Sequence, residues 1–277
     1  MKILFKKTAA FILLLSMLCT AMLTLSSCAI LEAIIPDSMK PNLDGYELVL
    51  YDEFDGDSLD LSTWEYRLSG HRRGGFNHPD QVSIRDGNLV ITAEYTTREY
   101  GEGWYTGMIR TAKEYKQGYF EIRCLPNSSE DFWSAFWMTI ENVYDHNISQ
   151  GGVGGAEIDI FETYRNHSLS TKHFVTSSIH CNGSDDIPDE IDSNRVSKTF
   201  VPNLRSEYHT FSLMWTEDEY IFYIDGIETG RTSFGNGVSN VPEYVVVSLE
   251  IPEEVNLSHD ATTEYLVDYV KIYQIAE

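Results

Sequence analysis

Beyond residue 45 the chain keeps a short rhythm. Runs rich in Val, Ile, Tyr, Phe and Thr alternate with Gly, Asn, Asp and Pro, which is the pattern of strands joined by turns. Two hairpins are legible directly: VSIR-DG-NLVITA around Asp86-Gly87 and YIFYI-DG-IETG around Asp225-Gly226. Each has an Asp-Gly pair that accepts positive φ at the turn. Further strands are predicted over residues 48–54, 118–125, 134–140, 156–163, 177–180, 208–215, 244–251 and 265–273. No sustained helical period and no internal repeat interrupt them. The expectation is an all-β fold in which two antiparallel sheets pack face to face. Three stretches break the rhythm, at 70–80 (GHRRGGFNHPD), 141–155 (ENVYDHNISQGGVGG) and 183–200 (GSDDIPDEIDSNRVSKTF). They are predicted to be long polar connections, the places where a rigid sandwich builds its binding surfaces.

The first 27 residues differ in kind. Lys2, Lys6 and Lys7 precede an apolar run over 9–25, the form of a secretory signal. The run also approaches the length of a membrane span, so an uncleaved anchor is the alternative. Its ending, Leu25-Ser26-Ser27-Cys28, resembles the bacterial lipobox. That resemblance implies cleavage before Cys28, lipidation of the Cys28 thiol and a domain tethered to the outer face of the cell membrane. Residues 28–44 then read as a tether, with two prolines and no sustained period, and 45–277 as one folded domain. Cys124 and Cys181 remain as a pair able to form a disulfide in an oxidising compartment, or as two buried thiols.

Net charge narrows the partners. The chain carries -23 overall, and beyond the three signal lysines 17 basic side chains stand against 43 acidic ones. Nucleic acid is excluded as an expected partner, because binding it requires clustered Lys and Arg. A neutral or extended polar substrate fits better. No interface signature stands out, and a monomer is expected.

The chemistry concentrates in Ala156-Glu157-Ile158-Asp159-Ile160-Phe161-Glu162. In a regular strand Glu157 and Asp159 share a face and Glu162 takes the other. A bulge at Ile160-Phe161 would shift the phase and bring all three acids to one side. Crowded carboxylates raise one another's pKa, which harms a stable core but suits glycoside hydrolysis, where one acid attacks and a second protonates the leaving oxygen. Retention would require carboxyls roughly 5–5.5 Å apart. The alternative is an acidic strand that faces solvent or binds a cation.

E-I-D-I-F-E resembles the bulged active-site signature of glycoside hydrolase family 16, the laminarinases, lichenases, agarases and their relatives. YDEFDG at 51–56, DGNLVITA at 86–93, YTGMIRT at 105–111, GYFEIRCLP at 118–126, FWSAFWM at 132–138, FSLMWTEDEYIFYIDG at 211–226 and VDYVKIYQ at 267–274 extend the resemblance to the end of the chain. It implies a jelly-roll, concanavalin-like sandwich with a concave cleft, and a retaining endo-glycanase that needs no organic cofactor. Glu157 then matches the nucleophile, Asp159 its assisting acid and Glu162 the acid/base. Trp133 and Trp137 match cleft tryptophans that face sugar rings, and His180 a cleft histidine. Arg110 and Asn77 are further candidates for sugar hydroxyls. A structural Ca2+ is implied at Glu53, Gly87 and Asp268, with only Asp268 giving a side chain.

The implied substrate is a β-1,3- or mixed β-1,3/1,4-glucan. GHRRGGFNHPDQ and SLEIPEEVN replace segments typical of laminarinases, which keeps a β-galactan or O-glycan open. Transglycosylation, and a non-catalytic carbohydrate-binding role on the same fold, are the remaining alternatives.

Overall fold

The computed structural model describes residues 36–141, 151–163, 172–182, 191–234 and 237–276. The chain divides into two compact units, Met1–Lys40 and Pro41–Glu277. Of the first, only a 3-10 turn at Asp37–Met39 falls within the described residues. The predicted signal, Cys28 and the tether as far as residue 35 lie outside them, as do most of 141–155 and the first part of 183–200.

The second unit is a two-sheet β-sandwich. Among the described residues the larger sheet has eleven strands and is antiparallel except where Gly75–Asn77 runs parallel to Gly101–Thr106. The smaller has seven, in the order Ile191–Phe200, Phe174–Asn182, Glu157–Glu162, Trp133–Thr139, Tyr244–Glu250, Met108–Thr111 and Trp64–Tyr66, all antiparallel. Between the sheets lies one apolar core. Phe161 of the smaller sheet stacks on Phe211 of the larger at 4.1 Å between ring centroids. Alternation along each strand explains this placement. In Gly118–Leu125, Phe120, Ile122 and Cys124 enter the core, while Glu121 and Arg123 face outward.

Both predicted hairpins form, with Asp86 (φ 53°) and Gly87 (φ 69°), and Asp225 (φ 49°) and Gly226 (φ 73°), in the left-handed region at the turns. Two predicted loops are instead partly strand. Residues 70–77 make a tight hairpin, Gly70–Arg72 against Gly75–Asn77, turning through Arg73 at φ 50°. Its arginines and glycines conceal the strand pattern because each strand is only three residues long. Ile191–Phe200 is a full strand whose polar residues reflect its place at the edge of the smaller sheet, with side chains exposed in alternation. Cys124 and Cys181 are both buried free thiols, one in each sheet, so the two do not form a disulfide.

Candidate active site

The predicted bulge is present. Across the sheet Phe136 faces Phe161 and Trp137 faces Asp159, which leaves Ile160 as the extra residue. Ile158, Ile160 and Phe161 all enter the core, so Glu157, Asp159 and Glu162 emerge together on the opposite face. They line a cleft of about 460 Å³ with Trp133, Trp137 and, from distant parts of the chain, Arg67, Arg72, Arg73 and Glu250.

Burial and mutual repulsion set the protonation of the acids. Glu162 is held well above the usual carboxyl range, first by desolvation and then by the charges of Asp159 and Glu157. Asp159 is also raised, by burial and by Glu157, while its hydrogen bond with Glu162 and the nearby Arg73 oppose the shift. The arrangement therefore keeps protons on the carboxyls beside Glu157, as a general acid requires.

His180 stands beside the acids, partly exposed. Its Nε2 lies 3.1 Å from Asp159 Oδ2 and its Nδ1 2.6 Å from the Ser193 hydroxyl, so it acts on the acid cluster from the side. Glu157, Asp159 and His180 bring donor atoms within 4.8 Å of one another.

Trp133 and Trp137 stand on the same strand face, 5% and 6% exposed, and Trp137 Nε1 donates to the Ser248 hydroxyl at 3.0 Å. Arg73 lies over the Trp133 ring and Arg67 over the Trp137 ring, at 5.2 and 5.1 Å from the centroids. Arg72 makes a two-pronged contact with Glu250, at 2.9 and 3.1 Å. Among the described residues Arg67 has no ion pair, and its guanidinium donates only to the Met108 sulfur, at 3.5 Å. Burial, then the charges of Arg72 and Arg110, hold its pKa below the ordinary guanidinium value.

These arginines and Glu250 were not singled out in the sequence as site residues. The available signal was HRR within a stretch that broke the strand rhythm. Asn77 and Arg110, the further candidates for sugar hydroxyls, are not among the side chains that line the cleft. Asn77 is buried, in the larger sheet. Arg110 is committed to Glu65 and Glu141 and lies over Tyr244. The Asn77 amide nitrogen has no hydrogen-bond partner among the described residues, and Arg110 is held at the rim of the cleft by Glu141, which lines it.

For calcium, backbone pairing of Asp52 with Val270 and of Leu89 with Val267 brings the Glu53, Gly87 and Asp268 segments to one part of the strand Thr262–Ile275. There Asp268 Oδ2 is 2.5 Å from Arg123 Nη1, and Glu53 accepts from the Tyr51 hydroxyl at 2.5 Å. The one side-chain donor expected for the ion is thus already neutralised by a guanidinium.

A two-sheet sandwich with three convergent acids on a bulged strand and tryptophans along the cleft floor is the architecture of a polysaccharide-cleaving glycosidase. Residues 49–275 match the family model described as Beta-porphyranase A-D, GH16 domain, and the chain belongs to glycoside hydrolase family 16. It is 26% identical over 203 residues to the endo-1,3-1,4-beta-glycanase EglC of Rhizobium meliloti, covering 70% of this chain but only 39% of that protein's length. It is also 26% identical over 251 residues to Beta-porphyranase E of Zobellia galactanivorans, covering 81% and 85% of the two chains. Among solved structures, porphyranase B of Z. galactanivorans shares the fold with a TM-score of 0.69 at 19% identity, covering 88% of this chain and 98% of that one.

Proposed function

We propose that this chain is an endo-acting, retaining hydrolase of a β-linked galactan that carries acidic substituents. In this account Glu157 attacks the anomeric carbon while Glu162 protonates the departing oxygen. Glu162 then takes a proton from water, which releases the sugar from Glu157. Asp159, hydrogen-bonded to Glu162, regulates the proton balance of the group.

The gathering of Arg67, Arg72 and Arg73 in the cleft of a chain of net charge -23 carries the choice of an acidic substrate. Guanidinium groups match sulfate and carboxylate geometry, and stacking on the tryptophans orients them beside the sugar plane. The matched family model and the porphyranase relative support the galactan backbone. A neutral mixed-linkage glucan is the second reading, favoured by the similarity to EglC.

Reducing-end release should be measured on porphyran, a sulfated galactan, and on agarose, laminarin, lichenan and mucin glycans, with Glu157→Gln as the blank. Release from porphyran, with the first product in the β configuration, is expected. Cleavage of laminarin or lichenan alone would replace the substrate, and an active Glu157→Gln would overturn the mechanism. We also infer from the N-terminal pattern that Cys28 carries a lipid; a palmitate analogue should label the full chain and spare Cys28→Ala.

A further inference from the structure

The catalytic strand is held by a residue two strands away. Thr139 of the central strand faces Glu157 on one side and Tyr244 on the other, and there that strand ends. One step further, the Ala156 amide has no strand partner to accept from it. It donates instead to Oε1 of Glu243 at 3.0 Å. Glu243 is fully buried and rigidly based, since its main chain exchanges two hydrogen bonds of 2.8 Å with Tyr115. Its Oε2 has no hydrogen-bond partner among the described residues.

We propose that Glu243 is a positioning residue whose side chain, standing in for the missing strand acceptor, fixes where the nucleophile's strand begins. The proposal rests on the retaining reading with Glu157 as nucleophile. The groups around Glu243 favour its neutral form. Tyr115 and Tyr220 face it, with Lys113 over the Tyr115 ring and the Cys181 thiol beyond Tyr220. Burial raises its pKa to about 8, and the charge of Glu114 adds to the shift, while the Ser239 side chain and the Ala156 amide oppose it. No Lys, Arg or His among the described residues pairs with it. Near neutral pH it is therefore a carboxylic acid. Above about pH 8 a charge forms where no cation answers it, at the residue that holds the strand next to Glu157.

The test uses Glu243→Gln, which keeps a neutral acceptor, and Glu243→Leu, which removes it. Both are assayed on the panel polymer that the wild type cleaves. Glu243→Leu should lower kcat about tenfold or more with KM within about threefold, and Glu243→Gln should keep kcat within about threefold near pH 6. The ratio of kcat, Gln variant over wild type, should be constant at acidic pH and rise across about pH 8. Taking this ratio cancels the titration of Glu162, which both proteins share. If the Leu variant does not fold, the ratio decides alone. A ratio that stays flat through about pH 9, or a folded Leu variant with wild-type kcat, overturns the proposal. If Glu157→Gln is inactive while Glu243 behaves as a bystander, only this inference falls; an active Glu157→Gln removes the reading beneath it.

Discussion

The outer face of the eleven-stranded sheet and the cleft face of the seven-stranded sheet both carry carboxylates, arginines and aromatic rings, arranged to opposite ends. On the outer face Glu121, Asp268 and Glu53 each have a donor. Glu121 accepts from the hydroxyls of Tyr119 and Tyr269 at 2.7 and 2.9 Å, Asp268 pairs with Arg123, and Glu53 accepts from Tyr51. In the cleft, Glu157, Asp159 and Glu162 meet each other, while Arg72 pairs with Glu250 and Arg67 and Arg73 lie over the tryptophans. The residue types are alike, so the chemistry comes from which groups each acid meets. A carboxylate given donors serves structure, and one given burial and a like charge holds a proton to deliver.

Removing the proton donor should break this contrast most strongly. Glu162→Gln is expected to lower kcat on the natural polymer by about 10²–10⁴-fold, read from initial rates. The next effect concerns the arginines. Arg67→Ala should raise KM for an acid-bearing polymer by roughly tenfold to a hundredfold, the worth of one charge-assisted hydrogen bond, and leave neutral polymers unchanged. Gly74→Ala should weaken the same preference by about tenfold, because a Cβ there would sit 2.0 Å from the Pro252 carbonyl oxygen and push the Arg72-Arg73 turn aside.

Stability should follow pH in a definite direction. Asp159 and Glu162 are raised in the folded state, so the stabilisation from their protons is complete below the ordinary carboxyl range and lost as pH rises through the raised values. Asp159→Asn should therefore melt a few degrees above the wild type at neutral pH, with the gap closing near about pH 4. The smallest effect on activity belongs to the outer face. Glu121→Gln should cost roughly 1–3 kcal/mol of stability and leave kcat within about twofold.

The sequence made the catalytic strand legible because its chemistry is local. Three acids within six residues have one geometry that unites them, and the bulge at Ile160 supplies it. The Asp-Gly hairpins and the shared face of Trp133 and Trp137 were readable for the same reason. Arg72 and Glu250 are brought together across 178 residues, with Arg67 in the same cleft, and no local period encodes that meeting. A polar residue near a motif looks the same in the sequence whether it faces sugar or, like Arg110, is held by carboxylates such as Glu65 and Glu141. His180 was found by its position, but its partner, Asp159, became visible only through strand pairing.

The central claim is that crowding on the bulged strand keeps Glu162 protonated for catalysis. The most direct measurement is the titration of the Glu162 carboxyl carbon by NMR in the wild type and in Glu157→Gln. The account predicts a titration well above the ordinary carboxyl range that moves down when the Glu157 charge is removed. A Glu162 that titrates in the ordinary range, unmoved by that substitution, would contradict it.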